Sequence, residues 1–253
     1  MSFQYLRMKL GTVNVRSGGN PASVLELSKI MRAAGCSTIV FSEFRDNLAG
    51  KALLRDLQGH GYRYFAFSSD VRGVLVVSQQ GFDATVNPGG LATFPNAMIR
   101  ANFATWTLYA VYMPTGKRKI PQFRYLIEAA KQHNARREAG IAIGDFNNGC
   151  EKLDIQVNVT SGKRIEDFPA HPYFHELDEV WPEAWRRLHP STHEYSWFAS
   201  NKPISQRQGW RLDEAFVSPL LLPDLASAEY LPQTRVGGWT DHSALVVTLD
   251  EKG

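Results

Sequence analysis

Asp145 and Asn147, two residues apart in Gly144-Asp145-Phe146-Asn147, put a carboxylate and a carboxamide just past the short apolar run Ile141-Ala142-Ile143. A run of that kind reads as a buried strand, and the Gly, Asp and Asn that follow mark its end and a turn. If the strand geometry continues through Phe146, the two polar side chains point to the same side. One can bind or activate water, and the other can donate a hydrogen bond to an oxyanion. In isolation Gly-Asp-Phe-Asn is equally a turn sequence, so its meaning depends on partners elsewhere in the chain.

Partners of the right type stand at other expected strand ends. Residues 8–15 alternate well enough for a strand that delivers Asn14, and Thr38-Ile39-Val40-Phe41 leads into Ser42-Glu43. Trp106 to Tyr112 reads as a strand stopped by Pro114. Asp213 falls inside the expected strand 210–218, where a carboxylate is unfavourable unless exposed or paired. Asp241 and His242 stand at the entrance to the strand Ala244–Leu249. Carboxylates, amides, a phenol and an imidazole suit a hard cation bound through oxygen and the movement of a proton.

The intervening elements must bring these ends together. Asn20 as N-cap, Pro21 at the first helical position, apolar Val24, Leu27, Met31 and Ala34, and Gly35 as the stop predict a helix. A shorter helical stretch covers residues 48–58. Strand-like segments near 62–67, 72–79, 98–103 and 105–112 read as antiparallel neighbours. From Phe123 the spacing turns helical (Leu126, Ile127, Ala130), with Arg136 and Arg137 in the last turns and Gly140 as the stop. Residues 148–171 are irregular, 172–189 read as short helical pieces broken by Pro182, and Tyr195-Ser196-Trp197-Phe198 resumes strand character. With no repeat or linker, the reading is a single domain over residues 1–253.

Composition narrows the class. The chain of 253 residues can bury a sizeable core, and 43% hydrophobic with 21% charged residues excludes disorder and coiled coil. Lys and Arg outnumber Asp and Glu by 28 to 25, a net charge of +3 that is too mild to prove a polyanionic partner. The first eight residues carry no long apolar core and no cleavage site, and no run approaches the roughly 20 apolar residues of a membrane span. A cytoplasmic location is the default expectation, with no membrane partner. Cys36 and Cys150 form no C-x-x-C pair, so neither a disulfide framework nor a zinc site is indicated, and Cys150 reads as a free thiol.

Taken in order, the motifs resemble those of the endonuclease/exonuclease/phosphatase superfamily, and within it the exonuclease III and AP (apurinic/apyrimidinic) endonuclease branch. The resemblance runs from about Lys9 to Leu249. It rests on Thr12-Val13-Asn14-Val15-Arg16, Ile39 to Glu43, Val111-Tyr112-Met113-Pro114-Thr115-Gly116, Gly144 to Asn147, Arg211-Leu212-Asp213 and Thr240-Asp241-His242. Ser42 stands where the family usually has Gln, Thr240 where it usually has Ser, and the segment after Tyr112 is shorter than in exonuclease III. The fold implied is a four-layer α/β sandwich, two packed mixed β-sheets flanked by helices, of the DNase-I-like kind.

The resemblance also implies roles. Glu43, helped by Asn14 and Asp241, would hold Mg²⁺ or Mn²⁺ against a phosphate oxygen. His242, oriented by Asp213, would contact the phosphate or act as general base, with Asp145 the competing base. Asn147 and Tyr112 would stabilise the oxyanion. The expected partner is DNA, a duplex with an abasic site or a 3′ end, met by a monomer. Lys117, Arg118 and Lys119 would grip phosphates, with Lys202, Arg207 and Arg211 flanking the loop before Asp213. Trp197, Trp210 and Leu212 would wall the pocket for a flipped-out abasic sugar. The implied activity is that of an AP endonuclease or 3′-exonuclease in DNA repair. The rivals are a superfamily phosphatase or phosphodiesterase acting on a small molecule or lipid headgroup, a non-specific DNase, and a catalytically dead DNA-binding relative.

Overall fold

The computed structural model describes residues 7–69, 71–149, 152–156, 169–198 and 208–250. In chain order these form β1 (Arg7–Asn14), α1 (Pro21–Ala33), β2 (Thr38–Phe44), α2 (Leu48–Gly59), β3 (Tyr64–Phe67), β4 (Gly73–Ser78), β5 (Asp83–Val86), β6 (Met98–Asn102) and β7 (Trp106–Tyr112). The second half contributes α3 (Ile120–Arg136), β8 (Ala139–Asp145), α4 (His171–Val180), α5 (Ala184–Leu188), β9 (Trp197–Phe198), β10 (Gly209–Trp210), β11 (Asp213–Val217), β12 (Leu225–Leu231), α6 (Gln233–Val236) and β13 (Ala244–Asp250).

Two mixed sheets result, ordered β12-β13-β1-β2-β4-β3 and β11-β8-β7-β6-β5, with β9 and β10 pairing separately. Each sheet has one parallel pair joined by a helix: β1 and β2 through α1, β7 and β8 through α3. Three apolar clusters define four layers. Leu10, Val40, Val76, Leu108, Ile143, Val217 and Leu245 meet between the sheets. Val24, Leu27, Leu53 and Leu57 of α1 and α2 cover Ile39, Phe41 and Leu75 on one outer face. Phe123, Leu126, Phe174 and Leu177 of α3 and α4 cover Tyr109, Val111 and Phe216 on the other. This is the DNase-I-like sandwich that the motifs imply. No helix among the described residues is long and apolar enough to cross a membrane.

Local signals hold at α1, where Asn20 accepts from the Ser23 N–H and Pro21 opens the helix. They fail at the end of α3. The cap there is Arg137 in the left-handed region, and Gly140 lies inside β8 with its Cα facing the Trp181 ring, a place for close packing rather than a stop. The strands read as antiparallel neighbours are so within β3–β4 and β6–β7, but they belong to two different sheets. Short, exposed β5 and the edge strand β12 carry no apolar alternation strong enough to announce them.

Candidate active site

Strand direction gathers the polar residues at one edge of the sandwich. The parallel pairs end there in Asn14 (β1), Glu43 (β2), Tyr112 (β7) and Asp145 (β8). Their antiparallel neighbours begin there: Asp213 opens β11 in register with Asp145, and His242 lies two residues before β13, which runs opposite β1. Side chains then bridge the two sheets. Asn14 Nδ2 donates to Asp145 Oδ2 at 2.8 Å, Tyr112 Oη donates to Glu43 Oε1 at 3.3 Å, and His242 Nδ1 donates to Asp213 Oδ2 at 2.7 Å.

The backbone is bent to achieve this. Gly144 has φ 150°, and a Cβ there would strike the Val111 carbonyl, so this position of the Gly-Asp-x-Asn run admits only glycine. The strand ends at Asp145 and does not continue through Phe146. Asn147 instead turns back at φ 50°, its N–H donating to Asp145 Oδ1 at 2.8 Å and its Nδ2 to Met113 O at 2.8 Å and Asp145 Oδ2 at 3.3 Å. Its amide hydrogens are therefore directed at protein acceptors, and Asn147 orients Asp145. Glu43 also sits at positive φ, 59°, in an irregularity between Ser42 and Phe44 that swings its side chain out of the ladder.

The two residues that depart from the family pattern serve as ties. The Ser42 hydroxyl donates to Val111 O and accepts from the Asp145 N–H, joining the sheets behind the carboxylate. Thr240 Oγ1 donates to Asn14 O at 2.6 Å.

Charge and burial set the protonation states. Burial and the neighbouring Asp213 charge push the Asp145 carboxyl up to about 7. Burial works against the His242 cation, but the Asp213 carboxylate in contact with it prevails and raises the imidazole to about 10. Burial would raise Glu43 as well, yet the Arg72 guanidinium and the Ser17 N–H hold it below the usual carboxylate range. Tyr112 is pushed above its ordinary value by burial and by Glu43.

The donor set fits a hard divalent cation. Glu43 and Asp241 offer carboxylate oxygens, and Asp241 Oδ1 is buried with no hydrogen-bond partner among the described residues. The other Asp241 oxygen accepts from Trp197 Nε1 at 3.1 Å. Asp145, Asp213 and His242 form a second group whose ligand atoms lie within 4.8 Å of one another. Asn14 is a supporting residue, since Nδ2 is used by Asp145 and Oδ1 accepts from the Arg16 N–H.

Two of the expected substrate contacts are corrected. Lys119 is 1% exposed, and its Nζ donates to the carbonyls of Phe146 and Asn147, pinning the turn after Asp145 from inside. Arg211 is also 1% exposed and is held by Asp154 and Glu183 at 2.7 Å each, beyond the reach of any ligand. Lys117 and Arg118 remain exposed. Trp197 and Trp210 face each other with centroids 4.9 Å apart, and Trp197 bridges His242, so this aromatic pair borders the site. Leu212 is buried beside it. Lys202, Arg207 and Cys150 lie outside the described residues. Ser17 and Arg72, both bonded to Glu43, carry no sequence signal, because each is a lone polar residue in a turn.

The Endonuclease/Exonuclease/phosphatase family model matches residues 11–242. Comparison with curated protein sequences gives no match. Among solved structures, the chain is similar to a variant of the 3′ phosphatase NExo from Neisseria bound to product DNA hairpin, at 21% identity and TM-score 0.81, covering 96% of this chain and 100% of that one. It is similar at the same coverage to the 3′-5′ exonuclease NExo from Neisseria meningitidis (23%, TM-score 0.81) and to an AP endonuclease from Archaeoglobus fulgidus (20%, TM-score 0.79). With the motif order, the two-sheet architecture and the family match in agreement, this chain belongs to the endonuclease/exonuclease/phosphatase family.

Proposed function

We propose that this protein is a divalent-metal-dependent phosphodiesterase acting on DNA, an AP endonuclease or 3′-exonuclease of the exonuclease III type. The observation that carries the reading is the convergence of Glu43, Tyr112, Asp145, Asp213 and His242 at one edge, bonded across both sheets.

A phosphodiester resists hydrolysis because its charge repels the nucleophile, so a site must aim a water and offset the charge that develops on phosphorus-bound oxygens. Glu43 and Asp241 would hold Mg²⁺ or Mn²⁺, and the ion when bound supplies Lewis-acid polarisation of a phosphate oxygen. Asp145, fixed by Asn14 and Asn147, takes the proton from the attacking water. His242, with Nδ1 committed to Asp213, presents Nε2–H to a phosphate oxygen as a charged donor, and Tyr112 donates its hydroxyl beside it. Its raised proton affinity suits His242 to that role better than to the base.

Lys117 and Arg118 together with the Trp197–Trp210 pair support DNA as the substrate, as does the DNA hairpin bound to the similar Neisseria phosphatase. The burial of Lys119 and Arg211 favours a second reading, a phosphatase for smaller phosphoesters, because it thins the basic face. An abasic duplex, an undamaged duplex and inositol phosphates, each incubated with protein and either Mg²⁺ or EDTA, separate the two. Metal-dependent incision at the abasic site, or metal-dependent shortening of either duplex from its 3′ ends, is expected. Inositol phosphate cleavage without DNA incision would establish the second reading instead.

A further inference from the structure

Arg72 precedes β4 at the open mouth of the site, with 41% of its side chain exposed. Its Nη2 and Nε lie 2.6 and 3.2 Å from Glu43 Oε2, Nη2 is 3.3 Å from the Ser17 hydroxyl, and the guanidinium carbon stands 5.5 Å over the Tyr112 ring. The Ser17 N–H donates to the same Glu43 oxygen at 2.6 Å, and Tyr112 occupies the other. Glu43 Oε2 is thus fully engaged, while Oε1 carries the one longer contact from Tyr112.

A divalent cation needs that carboxylate at bonding distance, and a guanidinium in contact with the same oxygen would repel it. Glu43 can therefore give the cation Oε2, and its full charge, only if Arg72 leaves. Arg72 has a long, half-exposed stem and a backbone outside the left-handed region, and beside it is the Tyr112 hydroxyl, where a phosphate would sit. A planar fork of donors suits two oxygens of that group. Building on the metal-dependent phosphoesterase reading, we infer that Arg72 is a phosphate ligand of this site, parked on Glu43 until a divalent cation displaces it onto the bound phosphate. A clamp that merely held Glu43 in place would behave in the opposite way toward metal.

The test is calorimetric titration of Mg²⁺ into wild type, Arg72→Ala and Arg72→Lys, followed by inorganic phosphate into each metal-loaded protein. Arg72→Ala is expected to bind Mg²⁺ roughly 10-fold more tightly and phosphate roughly 10-fold more weakly, the range of effects around metal ligands, with Arg72→Lys between the two. Unchanged melting temperatures check that the variants fold, as the exposed stem requires. Weaker or equal Mg²⁺ binding by Arg72→Ala overturns the inference, as does unaltered phosphate binding. Either result alongside metal-dependent cleavage by wild type overturns it alone, whereas no Mg²⁺ binding by any of the three overturns the metal-dependent reading with it.

Discussion

Asp145 and His242 share a buried patch with Asp213, and both hold their protons more tightly than they would in the unfolded chain. A group whose affinity for protons rises on folding stabilises the protein below its unfolded pKa and loses that contribution as the pH climbs to the folded one. For His242 the contribution is whole below about 6.5 and gone near 10, and for Asp145 the window opens near 3.8 and closes near 7. The metal-free protein is therefore expected to melt at progressively lower temperature from pH 6.5 to about 8, above which buried Lys119, lowered to about 8, offsets part of the decline. His242→Gln should flatten this alkaline decline, as thermal melts in EDTA across that range would register. Parallel curves for the two proteins would remove the Asp213–His242 pair as its source.

At the scale of elements, β11 is anchored by ions as well as by its ladder. Arg211 just before it joins Asp154, Glu183 at the cap of α5 and, at 3.6 Å, Glu214, all of them buried. Removing Arg211 leaves Glu183 without its cation and Asp154 with Arg186 alone, so Arg211→Met is expected to cost about 3–5 kcal/mol in urea unfolding. A loss below about 1 kcal/mol would mean that Arg186 alone compensates the cluster. Sequence points Arg211 toward substrate because nothing local separates a guanidinium facing solvent from one facing Asp154 and Glu183, two acids distant in the chain. Lys119 misleads for the same reason, as the third member of an outwardly solvated basic run. What is legible has short-range causes: the caps of α1, the apolar runs of β1, β2, β7 and β8, and turn residues at their ends. Asp145, Tyr112, Asp213 and His242 are legible through those strand ends. Arg72 and Ser17 are not, since their value arises only from the meeting with Glu43 across the fold.

For the molecule as a whole, a net charge of +3 makes long-range attraction to a polyanion weak, so affinity must come from local contacts at the mouth. If the substrate is duplex DNA, the slope of log affinity against log salt should be shallow. Lys117→Ala and Arg118→Ala should each reduce it by about 1, as expected for one phosphate contact apiece, in fluorescence-anisotropy titrations with EDTA present. A slope unmoved by both substitutions would take the nucleic acid away from this face. The interleaving of the two sheets has a further consequence, concerning time. β13 lies between β12 and β1, so the strand that carries His242 into place pairs with β1, which is made well before it. A ribosome-bound chain that has emerged only through β8 already holds Asn14, Glu43, Tyr112 and Asp145, but neither the imidazole nor the carboxylate that orients it. On the proposed mechanism, hydrolytic competence therefore waits for β11 and for the segment that brings His242 to β13.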